Sequence, residues 1–158
     1  MDIYIGKMID LSTKKHSLLQ DMLALTQAQS KTITEDGIGD LKRLIAEKQA
    51  RIEEINKLDE EFGACFHKLK QELGVESLDE IKSTDIPGIR DLQDIVGRIM
   101  ELLKEISRIE TKNNENAKKL LDDLSSKIKM INQGKTANTA YGKLSAMPPP
   151  SYFVDSKK

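Results

Sequence analysis

Tryptophan is missing from this chain of 158 residues, aromatic residues make up only 4% of it, and Cys65 is its single cysteine. One thiol cannot build an internal disulfide framework, which fits a reducing compartment. So few rings exclude a core built on large aromatics and leave one built on leucine and isoleucine. Two histidines, His16 and His67, stand far apart in the sequence. None of the spacings CxxC, HExxH, GxxxxGK[ST], GxSxG or GxGxxG occurs, so no motif points to a metal, a nucleotide or a nucleophile. The chain is read as a non-enzyme without cofactor or metal. Charge of one sign is also lacking: 26 acids face 25 bases. That balance gives no support for nucleic acid as a partner, nor for a strongly basic membrane-surface helix. No apolar run reaches 18 residues, so no membrane insertion is expected. The opening MDIYIGKMIDL has no basic region followed by a long apolar core, so no signal peptide is read and a cytoplasmic location is expected.

What the chain has is long helical periodicity. From Lys7 to Lys31, Met8, Leu11, Leu18, Met22 and Leu25 recur at helical spacing, with Leu19 widening the stripe. ITEDGIGD follows as a turn. The second segment is the strongest: Leu41, Ile45, Lys48, Ile52, Ile55, Asp59, Phe62, Phe66, Leu69 and Leu73 step by threes and fours. Lys48 and Asp59 interrupt that series, and the stripe is expected to drift toward water there. A helix from Leu41 to Leu73 is about 50 Å long and needs a partner of similar length. Gly74 suits a left-handed cap. VESLDEIKSTDIPG then reads as a connection, with a capping box between Ser77 and Glu80, and Asp85 as cap of a third helix that has Pro87 in its first turn.

The third segment covers about Pro87 to Asn132 and carries Leu92, Ile95, Ile99, Leu102, Ile106, Ile109, Leu120, Leu124, Ile128 and Ile131. Its stripe thins over TKNNENAKK, where Asn113, Asn114 and Asn116 form either a polar layer or a solvated bulge. The stripe resumes in phase, so the helix is expected to run on. No stretch has strand alternation. The fold class is all-α: an elongated antiparallel three-helix bundle, residues 1–133, followed by a flexible tail, residues 134–158. Cys65, next to Phe66 and three residues after Phe62, is read as a small core residue.

One short match points elsewhere. FHKLKQELG, residues 66–74, resembles the phosphoacceptor stretch of histidine phosphotransfer domains, with Leu69 and Lys70 two and three places after His67. That family has glycine straight after the lysine, where this chain has Gln71. His67 therefore reads first as a flanking residue of the Phe66 stripe, and phosphotransfer is carried as an alternative. A non-catalytic coiled-coil adaptor, self-associating through the 41–73 stripe, is the other.

The last 25 residues, GKTANTAYGKLSAMPPPSYFVDSKK, hold Tyr141, Tyr152 and Phe153, half of the six aromatics in the chain. Gly134 is expected to fray the third helix. Beyond it Ala137, Tyr141, Leu144 and Met147 step by four, three and three, with Ala140 alongside. About ten residues cannot meet the nucleation cost of a helix in water. Pro148, Pro149 and Pro150 then block continuation. A stripe weak alone but well patterned suits a segment that folds on a partner. Folding back onto the bundle is the competing reading.

Two stretches carry a family resemblance. LKRLIAEKQARIEEINKLDEEF, residues 41–62, resembles the second helix of FlgN-type flagellar export chaperones. INQGKTANTAYGK, residues 131–143, is similar to that family's junction between the last long helix and the client-binding end. The resemblance runs from about Leu11 to Lys143; the prolines and SYFVDSKK match no pattern of the family. It implies a small cytoplasmic helical chaperone without catalysis or cofactor. Such a chaperone binds the terminal helices of the hook–filament junction (hook-associated) proteins, prevents premature aggregation or assembly, and helps deliver them to the flagellar type III export gate. By position, Tyr141, Leu144 and Met147 would contact the client, and Ala137 and Ala140 would permit close helix approach. Tyr152 and Phe153 are added on physical grounds alone.

Overall fold

The computed structural model describes residues 2–81 and 86–137. Three helices account for most of them: α1 (Asp2–Ser30), α2 (Ile38–Leu73) and α3 (Ile89–Ala137), of 29, 36 and 49 residues. One 3-10 turn, Leu78–Glu80, lies between α2 and α3. The described residues contain no strand. This is the elongated three-helix bundle that the periodicity implies.

The path of the chain follows from cross-helix pairs. Lys15 meets Asp59 at 2.8 Å, and the Lys68 ammonium sits 5.9 Å from the Tyr4 ring, so α1 and α2 run antiparallel. Gly88 lies against Ile5 and Ile9, while Ser30 bonds Asn113, so α1 and α3 run parallel, up-down-up. Both longer helices lean on α1. Their shared core is Ile5, Met8, Leu19 and Met22 of α1, Ile55, Cys65 and Leu69 of α2, and Ile89, Leu92, Ile95, Ile99 and Ile106 of α3. Cys65 is a core residue, 6% exposed. The α1 seam begins earlier than Lys7: Ile5 and Met8, one helical turn apart, are 1% and 0% exposed, and the helix starts at Asp2 to seat them. The connection to α3 also contributes to the core. Ile81 and Ile86 are buried, and the Gln93 amide donates to the carbonyls of Leu78 and Ile81 at 3.0 and 3.1 Å.

Helix ends match their local chemistry. Gly74 takes φ 67° and its N–H donates to the Lys70 carbonyl, closing α2 as a left-handed cap. Glu80 receives the N–H of Glu76, and Ser77 makes no side-chain cap bond, so the expected capping box is replaced by a one-sided tie. Asp85 lies outside the described residues. Pro87 stands two places before the first residue of α3, where its missing N–H is not needed. α1 closes in a tightened turn in which the N–H groups of Lys31 and Thr32 donate to the Ala28 and Gln29 carbonyls at 3.1 and 3.0 Å, and side chains add to it: Thr32 Oγ1 donates to the Gln29 carbonyl at 2.8 Å and Asn113 Nδ2 to the Thr26 carbonyl at 3.1 Å.

Lys48 corrects the sequence reading. It was expected to turn toward water, yet it is 7% exposed. Its ammonium donates to Gln29 Oε1 at 2.9 Å and pairs with Glu110. Next to them the Ser30 hydroxyl donates to Asn113 Oδ1 at 2.6 Å, and Thr26 Oγ1 donates to the Met22 carbonyl. Thr26, Gln29, Lys48 and Asn113 are all buried. TKNNENAKK is thus an unbroken part of α3 whose Asn113 enters a polar layer across the bundle. A buried charge is tolerated where a counter-charge and hydrogen bonds satisfy it. No buried side-chain nitrogen or oxygen among the described residues lacks a partner. Asp59 does reach water, on the rim of the α1–α2 seam.

The layer splits the core. Beyond it a second cluster is small: Leu41 and Ala117, with Ile33, Ile38 and Ile45 packed around them. Lys48→Ala leaves the part-buried Glu110 without its counter-charge and should lower unfolding free energy by about 1–3 kcal/mol, read as a urea midpoint shift. The double variant Lys48→Met/Glu110→Leu should recover most of that loss. An unchanged midpoint for Lys48→Ala would show that the pair contributes nothing.

Candidate functional site

Among the described residues no group of His, Cys, Asp and Glu side chains converges as a metal site, and no helix is long and apolar enough to cross a membrane. His67 is exposed on α2, beside a shallow depression shared with Lys70, Gln71 and Gly74. The apolar face of α2 is turned inward: Leu41, Leu44, Ile55, Cys65 and Leu69 are buried within the chain. The stripe that a self-associating adaptor would use is therefore covered by the chain's own helices.

Two apolar surfaces stand out among the described residues. The first is a groove of about 140 Å³ where α2 and α3 part over α1. Leu58 and Phe62 form one wall, Val96 and Ile99 the other, and Leu11 the floor. Met100 and Leu103 stand at its lip, 53% and 39% exposed. Lys15 and Asp59, paired with each other, mark its polar edge.

The second surface is the far end of α3. The inner seam continues past the polar layer as Ala117, Leu121, Leu124, Ile128 and Ile131, in steps of four and three. α1 has ended at the level of Asn113 and α2 has not begun before Ile38, so this part of the seam loses its partners one by one. Ala117 is buried, Leu121, Leu124 and Ile128 are half-buried, and Ile131 is 44% exposed. The connecting loop reaches α3 through Glu35, which pairs with Lys127; the carboxylate holds the Lys127 ammonium pKa above its ordinary value.

Met130 is 70% exposed and lies on another face, about 140° around the helix from the inner seam. α3 does not fray at Gly134 but runs on to Ala137. Counting through that glycine, Met130, Gly134, Ala137, Tyr141 and Leu144 step by four, three, four and three. Met130 thus begins the apolar stripe that the sequence reading started at Ala137. The signal was present in the sequence; it was lost because Gly134 was taken as the end of the helix. Of the residues expected to bind a client, Ala137 closes α3, and its side chain is not described. Ala140, Tyr141, Leu144, Met147, Tyr152 and Phe153 lie outside the described residues.

Long helices around an apolar core, with exposed apolar faces toward the end of α3, define the described residues as an all-helical bundle. The family model described as FlgN protein matches residues 1–149. The chain therefore belongs to the FlgN family and is a flagellar export chaperone and not an enzyme. No match was found among curated proteins, and none among solved structures. The match gives no support to the phosphotransfer or adaptor readings. Incubation with acetyl phosphate should leave His67 unlabelled by mass spectrometry, and His67→Ala should leave the unfolding midpoint within about 0.5 kcal/mol of the parent, as expected for an exposed side chain.

Proposed function

We propose that this chaperone holds the terminal helices of hook-associated junction proteins on the end of the bundle formed by the last turns of α3 and the residues that follow. The family supplies the client class. The observation that carries the placement is Met130, a large apolar side chain 70% exposed and in phase with Ala137, Tyr141 and Leu144. Gly134 and Ala137 between them leave room for a second helix to approach closely. A client helix laid along this face converts a stripe too short to persist alone into a two-helix contact. Met147, Ala140, Tyr152 and Phe153 extend the same surface. Each large side chain buried there adds about 1.5–3 kcal/mol before the cost of ordering.

The chaperone works in the cytoplasm, where covering the apolar faces of the client's terminal helices prevents premature association. The complex then passes to the export gate. No covalent step is needed: the activity is a reversible exchange of one apolar partner for another, and its specificity lies in spacing and close packing.

Calorimetric titration against junction-protein terminal-helix fragments tests this. Tyr141→Ala should weaken binding about 10- to 100-fold, and Met130→Ser several-fold, if each loses about 1–3 kcal/mol of burial. Lys143→Ala should change the affinity less than about twofold, being off the stripe. Equal losses from Tyr141→Ala and Lys143→Ala would remove the stripe from the interface. A chain ending at Ala137 should keep its helicity by circular dichroism yet bind far more weakly.

A further inference from the structure

Above the polar layer the α1–α2 hairpin ends in a tip, residues 31–47. Both feet of the tip are fixed in the layer. Gln29 and Ser30 stand at the end of α1, Lys48 stands about three turns into α2, and the Lys48 ammonium donates to Gln29 Oε1 at 2.9 Å. α3 holds the same feet through Asn113, bonded to Ser30, and Glu110, paired with Lys48. Between the feet the tip rests on α3 by much less. Leu41 and Ala117 are buried with Ile33, Ile38 and Ile45 around them, a cluster of two buried residues where the main core has fourteen. Farther out, the exposed Glu35 carboxylate pairs with the exposed Lys127 ammonium. We propose that the tip is a strap: residues 31–47 open away from α3 as a unit while the core below the layer stays shut, and the Glu35–Lys127 ion pair is the latch that sets how often.

Each part of this device follows from its chemistry. Little apolar area is lost when the tip lifts, so its opening costs less than unfolding the main core. The movement stops at the layer, because carrying it further would leave the buried Lys48 ammonium without its counter-charge. The closed shape is set by a tight turn around Glu35. The Gly37 N–H donates to the Thr34 carbonyl at 3.1 Å and to Thr34 Oγ1 at 3.0 Å, and a Cβ at Gly37 would run into the Thr32 carbonyl. An ion pair between exposed groups holds weakly and is screened by salt, which makes this latch adjustable.

Opening changes what α3 presents. Closed, the strap lies across α3 from the level of Ala117 to that of Lys127, about 15 Å, with the half-buried Leu121 and Leu124 between. Open, it bares the row Ala117, Leu121, Leu124, Ile128 and Ile131, about 21 Å long. The Met130 face points elsewhere and is not touched by the movement, so the strap and the client stripe stand or fall separately.

Thiol labelling of the full-length protein tests the strap, with Cys65 as a built-in reference in the core below the layer. Ala117→Cys places a second thiol under the strap. Each thiol's rate of alkylation by N-ethylmaleimide, resolved by peptide mass spectrometry, is divided by its rate in the urea-unfolded chain. On that scale the introduced thiol should react about 10-fold or more faster than Cys65. Adding Glu35→Gln should speed the introduced thiol about two- to fivefold and leave Cys65 unchanged. About 1 M NaCl should have a similar effect on the Ala117→Cys protein, and little once Glu35→Gln is present. Equal rates at the two thiols would overturn the layer as the boundary of opening, and a rate indifferent to both Glu35→Gln and salt would overturn the latch. As a second measurement without new thiols, Gly37→Ala should speed hydrogen exchange of the amides of residues 38–45 about 10-fold and leave those of residues 62–69 unchanged. Equal acceleration in both stretches, or none in either, would count against a strap that opens by itself. No client enters these measurements, so their failure leaves the client titration standing, and its failure leaves them standing.

Discussion

α2 and α3 are both longer than α1, and α1 is the common partner against which both of them pack. It supplies an apolar seam to α2 on one side and to α3 on the other, from Ile5 to Met22. Where α1 stops, the bundle changes character. α2 and α3 continue together only as far as Leu41 and Ala117, and α3 then runs on alone. The bare end of α3 follows from this mismatch of 29, 36 and 49 residues, because its apolar seam runs on past the ends of the helices that could cover it.

The polar layer marks the point of change. Thr26, Gln29, Ser30, Lys48, Glu110 and Asn113 come from all three helices and satisfy one another, and they also take up carbonyls at the end of α1. A layer of this kind contributes less to stability than leucines would, but it is costly to mispair, so it holds the three helices in one register. Below it lies the continuous core. Above it are the small second cluster and the bare end of α3, where little apolar area resists opening. Opening at that end leaves the rest of the bundle intact, because few core contacts cross the polar layer.

Much of this was legible in the residues. The period of 3.6 in three long segments, Gly74 as a left-handed cap, Cys65 as a core residue and the continuity of α3 through Asn113 were all readable, because each is a local property or a repeat on a single helix face. The family resemblance rested on two stretches of such pattern, and the family model spans nearly the whole chain. Lys48 misled, because a lysine within a stripe reads as a break unless its partner is known, and Glu110 is 62 residues away. Ile81 and Ile86 were passed over as parts of a connection. Met130 was separated from its stripe by one glycine, which an established helix carries at a cost of about 1 kcal/mol.

The sequence by itself determined that the protein is helical, without the motif spacings searched for, and richest in aromatics at its C-terminal end, since composition and periodicity need no neighbour to be read. The tertiary structure alone decided which faces are left bare. Exposure is a property of helices side by side: the level at which α1 ends against α3 comes from their packing and the layer around Asn113, and no single helix states it.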